Sequence, residues 1–71
     1  MNLSQGEIGK EYEIVDITLD DEEVKEFLFT LGCFSGEKIT IIDHQRQNLV
    51  VSIKDARYNI DLELANFILV H

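Results

Sequence analysis

The chain has 71 residues, of which 45% are hydrophobic and 28% charged, and its 14 acidic and 6 basic side chains give a formal net charge of −8 at pH 7. This length allows one small domain with a limited core, and the composition is globular rather than disordered. The negative charge repels the phosphates of nucleic acids and anionic lipid surfaces, so we expect no nucleic acid partner.

The sequence carries no recognisable membrane or export signal. No run of residues approaches the roughly 18 apolar residues of a membrane span, and the opening "MNLSQGEIGK" lacks the basic and then apolar profile of a secretory signal. We therefore expect one cytoplasmic domain covering residues 1–71, with no direct membrane insertion. Cys33 is the single cysteine, so packing alone must hold the fold, and weak self-association or a partner is left open as further support.

The first predicted element is a strand at residues 10–17, "KEYEIVDI". Apolar residues alternate at Tyr12 and Ile14, as in a half-buried strand, and the phase then shifts at Val15 and Ile17. An extra residue in the strand produces such a shift, so the pattern predicts a β-bulge here.

From Asp20 the apolar spacing becomes helical. Asp20 or Asp21 can accept hydrogen bonds from the free N–H groups of a first helical turn, and Gly32 stands where a left-handed residue would end the helix. The i, i+3, i+4, i+7 spacing predicts one amphipathic helix of about three turns. Its predicted buried stripe consists of Val24, Phe27, Leu28 and Leu31.

The stretch "TLGCFSGEKITII" places Gly32 and Gly36 around a lone cysteine. A phosphate-binding loop would need G-x-x-x-x-G-K-[ST] after a strand, whereas this G-x-x-x-G follows a helix. We therefore assign both glycines to chain reversal: Gly32 ends the helix and Gly36 completes the turn into the next strand. Cys33, at this apolar corner, is interpreted as a small buried hydrophobic residue.

Three further strands are predicted at residues 38–42, 49–53 and 57–62, because apolar and polar residues alternate in the last two. One helical turn at 63–67 and a short strand, "ILV", follow. A flat sheet this small would expose an apolar face and both edges. The sequence therefore predicts a mainly-β fold: a small barrel of about five strands, with one α-helix between the first and second strands.

Few residues qualify as functional. Phe29 lies about 140° around the helix from Val24, so two interpretations stay open: the lead-in or a loop covers it, or it anchors a protein partner. Phe29 and Phe34 are the candidate partner-binding residues. We predict no dedicated metal site, because such a site needs at least three converging ligands; Asp43 and His44 are the candidate ligands if a metal binds. The acidic run at 20–26 lacks the glycine of a calcium loop.

Catalysis is not expected. Side chains fill the interior of so small a barrel, which leaves no cleft for a substrate. We therefore predict that the chain is not an enzyme, has no catalytic residues and holds no tightly bound cofactor.

The order of these elements resembles the FeoA family, small cytoplasmic proteins of bacterial ferrous iron transport. The family's core motif, L-G-x-x-P-G before a strand, is matched in register by Leu31, Gly32 and Gly36, while Ser35 stands in place of the proline. The resemblance spans nearly the whole chain, carried by "NLSQGEIGKEYEIVDI", "FLFTLG", "CFSGEKITII" and "SIKDARYNIDLELANFILV".

The resemblance implies an SH3-like β-barrel that works with the membrane transporter FeoB, with the transporter's cytoplasmic G-protein domain as the contact. The predicted function is that of a non-catalytic accessory protein that binds and regulates the transporter, with ferrous iron as pathway cargo. Two alternatives stay open: a ferrous iron carrier or sensor using Asp43, His44 and surface carboxylates, and a generic SH3-like protein-interaction module. The helix is often arginine-rich in relatives, so their contact surface does not transfer to Glu22, Glu23 or Glu26.

Overall fold

A computed structural model describes residues 1–71. A 3-10 turn at Leu3–Gln5 precedes five strands and two helices. The strands are β1 (Glu11–Ile17), β2 (Lys38–His44), β3 (Asn48–Ile53), β4 (Ala56–Asp61) and β5 (Ile68–Val70), and the helices are α1 (Glu22–Leu31) and α2 (Leu62–Ala65). The fold is mainly β, and α1 lies between the first and second strands as predicted.

All five strands form one antiparallel sheet in the order β4-β3-β2-β1-β5. The predicted closed barrel is wrong, because the edge strands β4 and β5 are not hydrogen bonded to each other. The chain between them forms α2, whose first residue continues the pairing of β4 with β3. The N–H of Leu62 donates to the carbonyl of Gln47 at 3.0 Å, and the Ser4 hydroxyl donates to Asn66 Oδ1 at 2.7 Å. No strand-to-strand pairing therefore closes the sheet between β4 and β5.

Irregular pairing bends the sheet at two places. In β1 the register with β5 shifts between Ile14 and Asp16, which confirms the bulge predicted at Val15. In β2 a second shift lies between Ile41 and Asp43, and the strand then continues to His44, two residues beyond its predicted end. Pairing with β3 compensates for the polar side chains that predicted a turn there.

The first residues cover part of the outer edge of β5. The N–H of Val70 donates to the carbonyl of Met1 at 2.9 Å, and Asn2 forms an isolated bridge with Leu69. Leu3 is fully buried beneath this contact. One edge of the sheet is therefore partly covered by the chain's own N-terminus, while the other, β4, has no such cover.

The core lies between the inner face of the sheet, α1 and α2, and contains no polar or charged residue. No buried side-chain nitrogen or oxygen is left without a hydrogen-bond partner. The core residues are Leu3, Tyr12, Ile14, Leu28, Cys33, Ile39, Ile41, Leu49, Val51, Ile53, Ile60, Ala65, Ile68 and Val70. Aliphatic packing thus carries the stability of this domain.

Helix α1 packs on the sheet along a narrower line than its periodicity predicts. Leu28 is the one fully buried side chain of the helix, Val24 and Leu31 are half-buried, and Phe27 is 58% exposed. The predicted four-residue stripe is therefore wrong at Phe27. Since Leu28 alone enters the core, with Val24 packed against it, much of the apolar face of α1 stays outside the core. Neither helix is long and apolar enough to cross a bilayer.

Two successive backbone reversals carry the chain from α1 into β2. Gly32 has φ 94°, its N–H donates to the Phe29 carbonyl, and the N–H of Cys33 donates to the Leu28 carbonyl at 2.9 Å. These two bonds form a Schellman motif. A β-turn follows, in which Glu37 N–H donates to the Phe34 carbonyl at 3.1 Å and Gly36 has φ 93°, as a type II turn requires at its third position.

Candidate protein-interaction surface

Exposed aromatic side chains are the feature of this surface that packing does not explain. Three of the four phenylalanines are exposed: Phe27 at 58%, Phe29 at 63% and Phe67 at 39%. Single exposed apolar residues are ordinary, but neighbouring ones mark sites of protein contact.

Phe29 and Phe34 form one contiguous patch. Their ring centroids are 4.8 Å apart with an interplanar angle of 32°, a separation at which aromatic rings attract one another. Phe29 projects from the last turn of α1, and the Schellman motif at Gly32 reverses the chain so that Phe34 lies beside it. The half-buried Phe34 thereby supports the exposed Phe29. We call these two residues the aromatic pair.

The aromatic pair forms one wall of an open groove of about 220 Å³. The groove, called the aromatic groove below, is lined by Asp16, Ile17, Lys25, Phe29, Cys33, Phe34 and Ser35. Cys33 is buried at its base, and loss of solvation raises the pKa of its thiol to about 11. The thiol therefore stays protonated at neutral pH, which suits a packing role rather than that of a nucleophile or metal ligand.

The charges around the aromatic groove are balanced. Lys25 and Asp16 line the groove, and beside it Lys54 Nζ lies 5.3 Å from the centroid of the Phe34 ring and 3.5 Å from Glu37 Oε1. Two cations and two carboxylates thus surround an apolar centre, within a molecule whose formal charge is −8. An apolar core with a mixed polar rim is the usual composition of a protein interface.

A second open groove, of about 360 Å³, lies between the start of α1 and α2. Its lining consists of Leu19, Asp21, Val24, Asp61, Glu63, Leu64 and Phe67, with three carboxylates and no cation. Two of these carboxylates already cap helices, since Asp21 accepts from Glu23 N–H at 3.1 Å and Asp61 accepts from Glu63 N–H at 3.1 Å. No local sequence pattern indicates this groove, because its two halves come from segments about forty residues apart.

The candidate metal ligands Asp43 and His44 lie exposed at the end of β2. The backbone N–H of His44 donates to Asp43 Oδ1 at 2.9 Å. No group of three His, Cys, Asp or Glu side chains lies close enough to hold a metal ion together. The structure thus places these two residues side by side without a third donor.

The other histidine belongs to a small exposed charge cluster. Glu13 pairs with Lys38 at 3.1 Å, and His71 Nε2 lies 3.7 Å from its second carboxylate oxygen. The hydrogen bond and the charge of Lys38 lower the pKa of Glu13 from 4.5. Because all three side chains are solvent-exposed, this cluster contributes little to stability.

The open five-strand sheet, with α1 and α2 packed against it, defines the class of protein: a small, mainly-β domain with exposed aromatic side chains. The sequence model of the FeoA domain matches residues 1–71. Since the match covers the whole chain, this protein belongs to the FeoA family, which is linked to ferrous iron transport.

Solved structures share this fold. The chain is similar to a crystal structure of an iron uptake regulatory protein (FeoA), with 22% identity, coverage of 99% of this chain and 93% of that one, and a TM-score of 0.88. The NMR structure of FeoA from Chlorobium tepidum is 22% identical, with coverage of 100% of this chain and 69% of that one and a TM-score of 0.92. The crystal structure of FeoA from Stenotrophomonas maltophilia is 17% identical, with coverage of 100% of this chain and 89% of that one and a TM-score of 0.87.

The third of these structures was solved with zinc and is described as an SH3 domain protein and a candidate activating factor of ferrous iron transport. At such identities the likeness establishes the fold alone. The search of curated proteins found no match.

Proposed function

We propose that this chain is a non-catalytic, cytoplasmic accessory protein of ferrous iron uptake that binds and regulates an FeoB-type transporter. The observation that carries the proposal is the match of the FeoA domain to all 71 residues. Ferrous iron is then the cargo of the pathway and is not held by this domain. The cytoplasmic G-protein domain of the transporter is the proposed contact.

The aromatic groove is the proposed docking site. Phe29, 63% exposed and supported by Phe34, has the character of an interface anchor. The balanced charges of Lys25 and Asp16 provide polar contacts at the rim without placing an unpaired charge beneath the partner. Truncation of such an anchor typically costs 2 kcal/mol or more of binding free energy.

Regulation follows only if the chain binds one nucleotide state of the G domain more tightly than another. A ligand shifts an equilibrium by its difference in affinity for the two states and by nothing else. We therefore propose that the affinity of this chain differs between the GDP-bound and GTP-bound transporter.

Titration of the fluorescently labelled chain with the isolated G domain and with the detergent-solubilised full-length transporter tests this proposal. Each titration is run without nucleotide, with GDP and with a non-hydrolysable GTP analogue. We expect saturable binding whose dissociation constant depends on the nucleotide. Absence of binding to both partners in all three conditions would contradict the proposal.

The docking site is tested by Phe29→Ala in the same titration. The expected loss of affinity is about 30-fold, the equivalent of about 2 kcal/mol. Ile8→Ala is the matched control, because Ile8 is 58% exposed and lies in the N-terminal segment, outside the lining of the aromatic groove. Equal effects of the two variants would remove the aromatic groove from the proposal.

The alternative of a ferrous iron carrier or sensor is separated by anaerobic iron titration followed by NMR. Saturable shifts confined to Asp43 and His44 would favour it. Weak shifts spread over the acidic residues of α1 would reject it. Membership of an iron transport family weighs against the other alternative, a generic interaction module unrelated to iron.

A further inference from the structure

Strand β4 is the uncovered edge of the sheet. It pairs with β3 over its whole length, from Asn48↔Asp61 to Ile53↔Ala56, and with no other strand. No turn, loop or cap hydrogen bond uses the backbone of Arg57 or Asn59. An uncovered edge strand is a template for a further strand.

The pairing register shows which residues of β4 present free backbone groups. Leu62 N–H donates to the Gln47 carbonyl at 3.0 Å, and this pair continues the register of the hairpin. Since hydrogen-bonded pairs alternate along an antiparallel ladder, Ile60 and Tyr58 exchange bonds with β3. Arg57 and Asn59, at the alternate positions, therefore turn their N–H and C=O groups away from β3, toward the open edge, and Asp61 turns its N–H there.

These three residues carry one positive charge, no charge and one negative charge, in chain order. Arg57, Asn59 and Asp61 occupy every second position of β4, and all three side chains are exposed. An antiparallel copy of the strand centred on Asn59 places Arg57 opposite Asp61, and the two-fold axis repeats this pair. The side chains of directly opposite residues lie about 5 Å apart, and opposite charges there stabilise the pairing.

We propose that β4 is a self-association surface, on which a second copy of this chain pairs antiparallel through its own β4 with Asn59 at the two-fold axis. The two sheets then form one ten-stranded sheet. Four backbone bonds link the strands: each Asn59 N–H donates to the other Asn59 carbonyl, and each Asp61 N–H donates to the other Arg57 carbonyl. Backbone geometry and side-chain charge select the same register.

A second copy suits this edge better than a partner of one charge sign. The three outward residues sum to zero charge, so a strongly basic or acidic strand would meet one unfavourable pair. The overall charge of −8 per chain opposes association at long range, but salt at 0.15 M screens charges beyond about 8 Å. Contact along a single strand buries little area, so the dimer is weak.

Disulfide trapping tests the register. Asn59→Cys places two cysteines in a hydrogen-bonded pair with Cα atoms about 5.5 Å apart, within the range that a disulfide spans. Arg57→Cys is the matched control: in this register its two copies are four residues out of step, about 14 Å apart at 3.4 Å per residue. The native Cys33 is buried.

In a glutathione redox buffer at neutral pH, we expect Asn59→Cys to form covalent dimers at least about tenfold faster than Arg57→Cys, because only its sulfurs are held at bonding distance. Similar rates for the two variants, or faster dimerisation of Arg57→Cys, would overturn the proposed register. Circular dichroism of both reduced variants verifies that the fold is retained.

Sedimentation equilibrium at millimolar concentration tests the association without a covalent link. Arg57→Glu sets like charges opposite each other twice, and we expect dimerisation to weaken by at least about tenfold, or about 1.4 kcal/mol. Lys10→Glu is the control, since it changes the charge equally but lies beside β2, two strands from β4. We expect its effect to stay within about threefold.

Asn59→Pro supplies a variant without a charge change. Proline is tolerated on an edge strand where its missing N–H faces outward, so the monomer should fold while the central pair of bonds is lost. A wild-type chain that is monomeric at millimolar concentration would overturn the proposal. Dimers unaffected by both Arg57→Glu and Asn59→Pro would overturn the assignment to β4.

Discussion

Leu28 and Leu31 lie on the same helix, about one turn apart, yet they differ in burial and therefore in their expected contribution to stability. Leu28 is fully buried among the core residues, whereas Leu31 is half-buried beside Gly32. We expect Leu28→Ala to lower the free energy of unfolding by about 2–5 kcal/mol, since it removes three carbon atoms from an enclosed, fully packed site. Leu31→Ala should cost less than about 2 kcal/mol because solvent already reaches part of its side chain.

Urea unfolding followed by circular dichroism measures both variants, and an unchanged m-value shows that the midpoint shift reports stability. The sequence pattern alone treats the two leucines alike, because both belong to the i, i+3, i+4, i+7 stripe. A loss at Leu31 equal to that at Leu28 would mean that the helix packs as the pattern predicted. The pair therefore tests the placement of α1 on the sheet.

At the scale of single elements, the β3–β4 hairpin carries a strained turn. Lys54 and Asp55 form its two-residue loop with φ values of 50° and 67°, the positive values of a type I′ turn, which favours Asn-Gly. Asp55→Gly removes the steric penalty of a left-handed residue. Glycine's greater loss of backbone entropy offsets part of this gain, so we expect the free energy of unfolding to rise by about 0.5–1 kcal/mol, measured by urea unfolding.

Asp55→Ala is the control for that prediction. It removes the same carboxylate but keeps a Cβ in the left-handed region, so it should not stabilise the hairpin. Lys54 is left in place because it stacks on Phe34 and pairs with Glu37. Equal stabilisation by glycine and alanine would show that the charge of Asp55, rather than the backbone conformation, limits stability.

Local rules predicted most elements, and contacts between distant segments decided the rest. The helix cap, the bulge in β1 and the end of α1 at Gly32 depend on neighbours within a few residues. The sequence left Asp20 and Asp21 open as the cap, and the structure places the cap at Asp21. The exposure of Phe27 depends on how much of the sheet the helix covers. No periodicity within α1 encodes that extent.

The candidate surface shows the same division. The angular position of Phe29 agrees with its exposure of 63%, because helix geometry fixes it. The contact with Phe34 follows from the φ values of Gly32 and Gly36, which a sequence motif indicates but does not measure. The acidic-lined groove needs both α1 and α2 in place, so it was beyond sequence analysis.

At the scale of the whole molecule, the sheet stays open because the chain uses its last residues differently from a closed barrel. Strand β5 has three residues and pairs with β1, while the chain between β4 and β5 forms the helix α2. The prediction of closure assumed that both edges must be paired. Here the N-terminal residues cover part of one edge and charged side chains mark the other.

Uncompensated charge is also a property of the whole molecule. The formal charge is −8, and each of the three ion pairs has at least one well-exposed side chain, so mutual repulsion opposes the compact state. Raising NaCl from 0.01 M to 0.15 M shortens the Debye length from about 30 Å to about 8 Å. We expect the thermal midpoint to rise over this range, by calorimetry at fixed pH and protein concentration.

Glu26→Lys separates this repulsion from general effects of salt. Glu26 is exposed on α1 and forms no ion pair, and its replacement changes the formal charge from −8 to −8 + 2 = −6. We expect the thermal midpoint of the variant to exceed that of the wild type at low salt. The difference should shrink at 0.15 M, because salt screens the same charge repulsion that the substitution reduces. A difference independent of salt would assign the effect to local contacts on α1, and net charge would then not limit the stability of this domain.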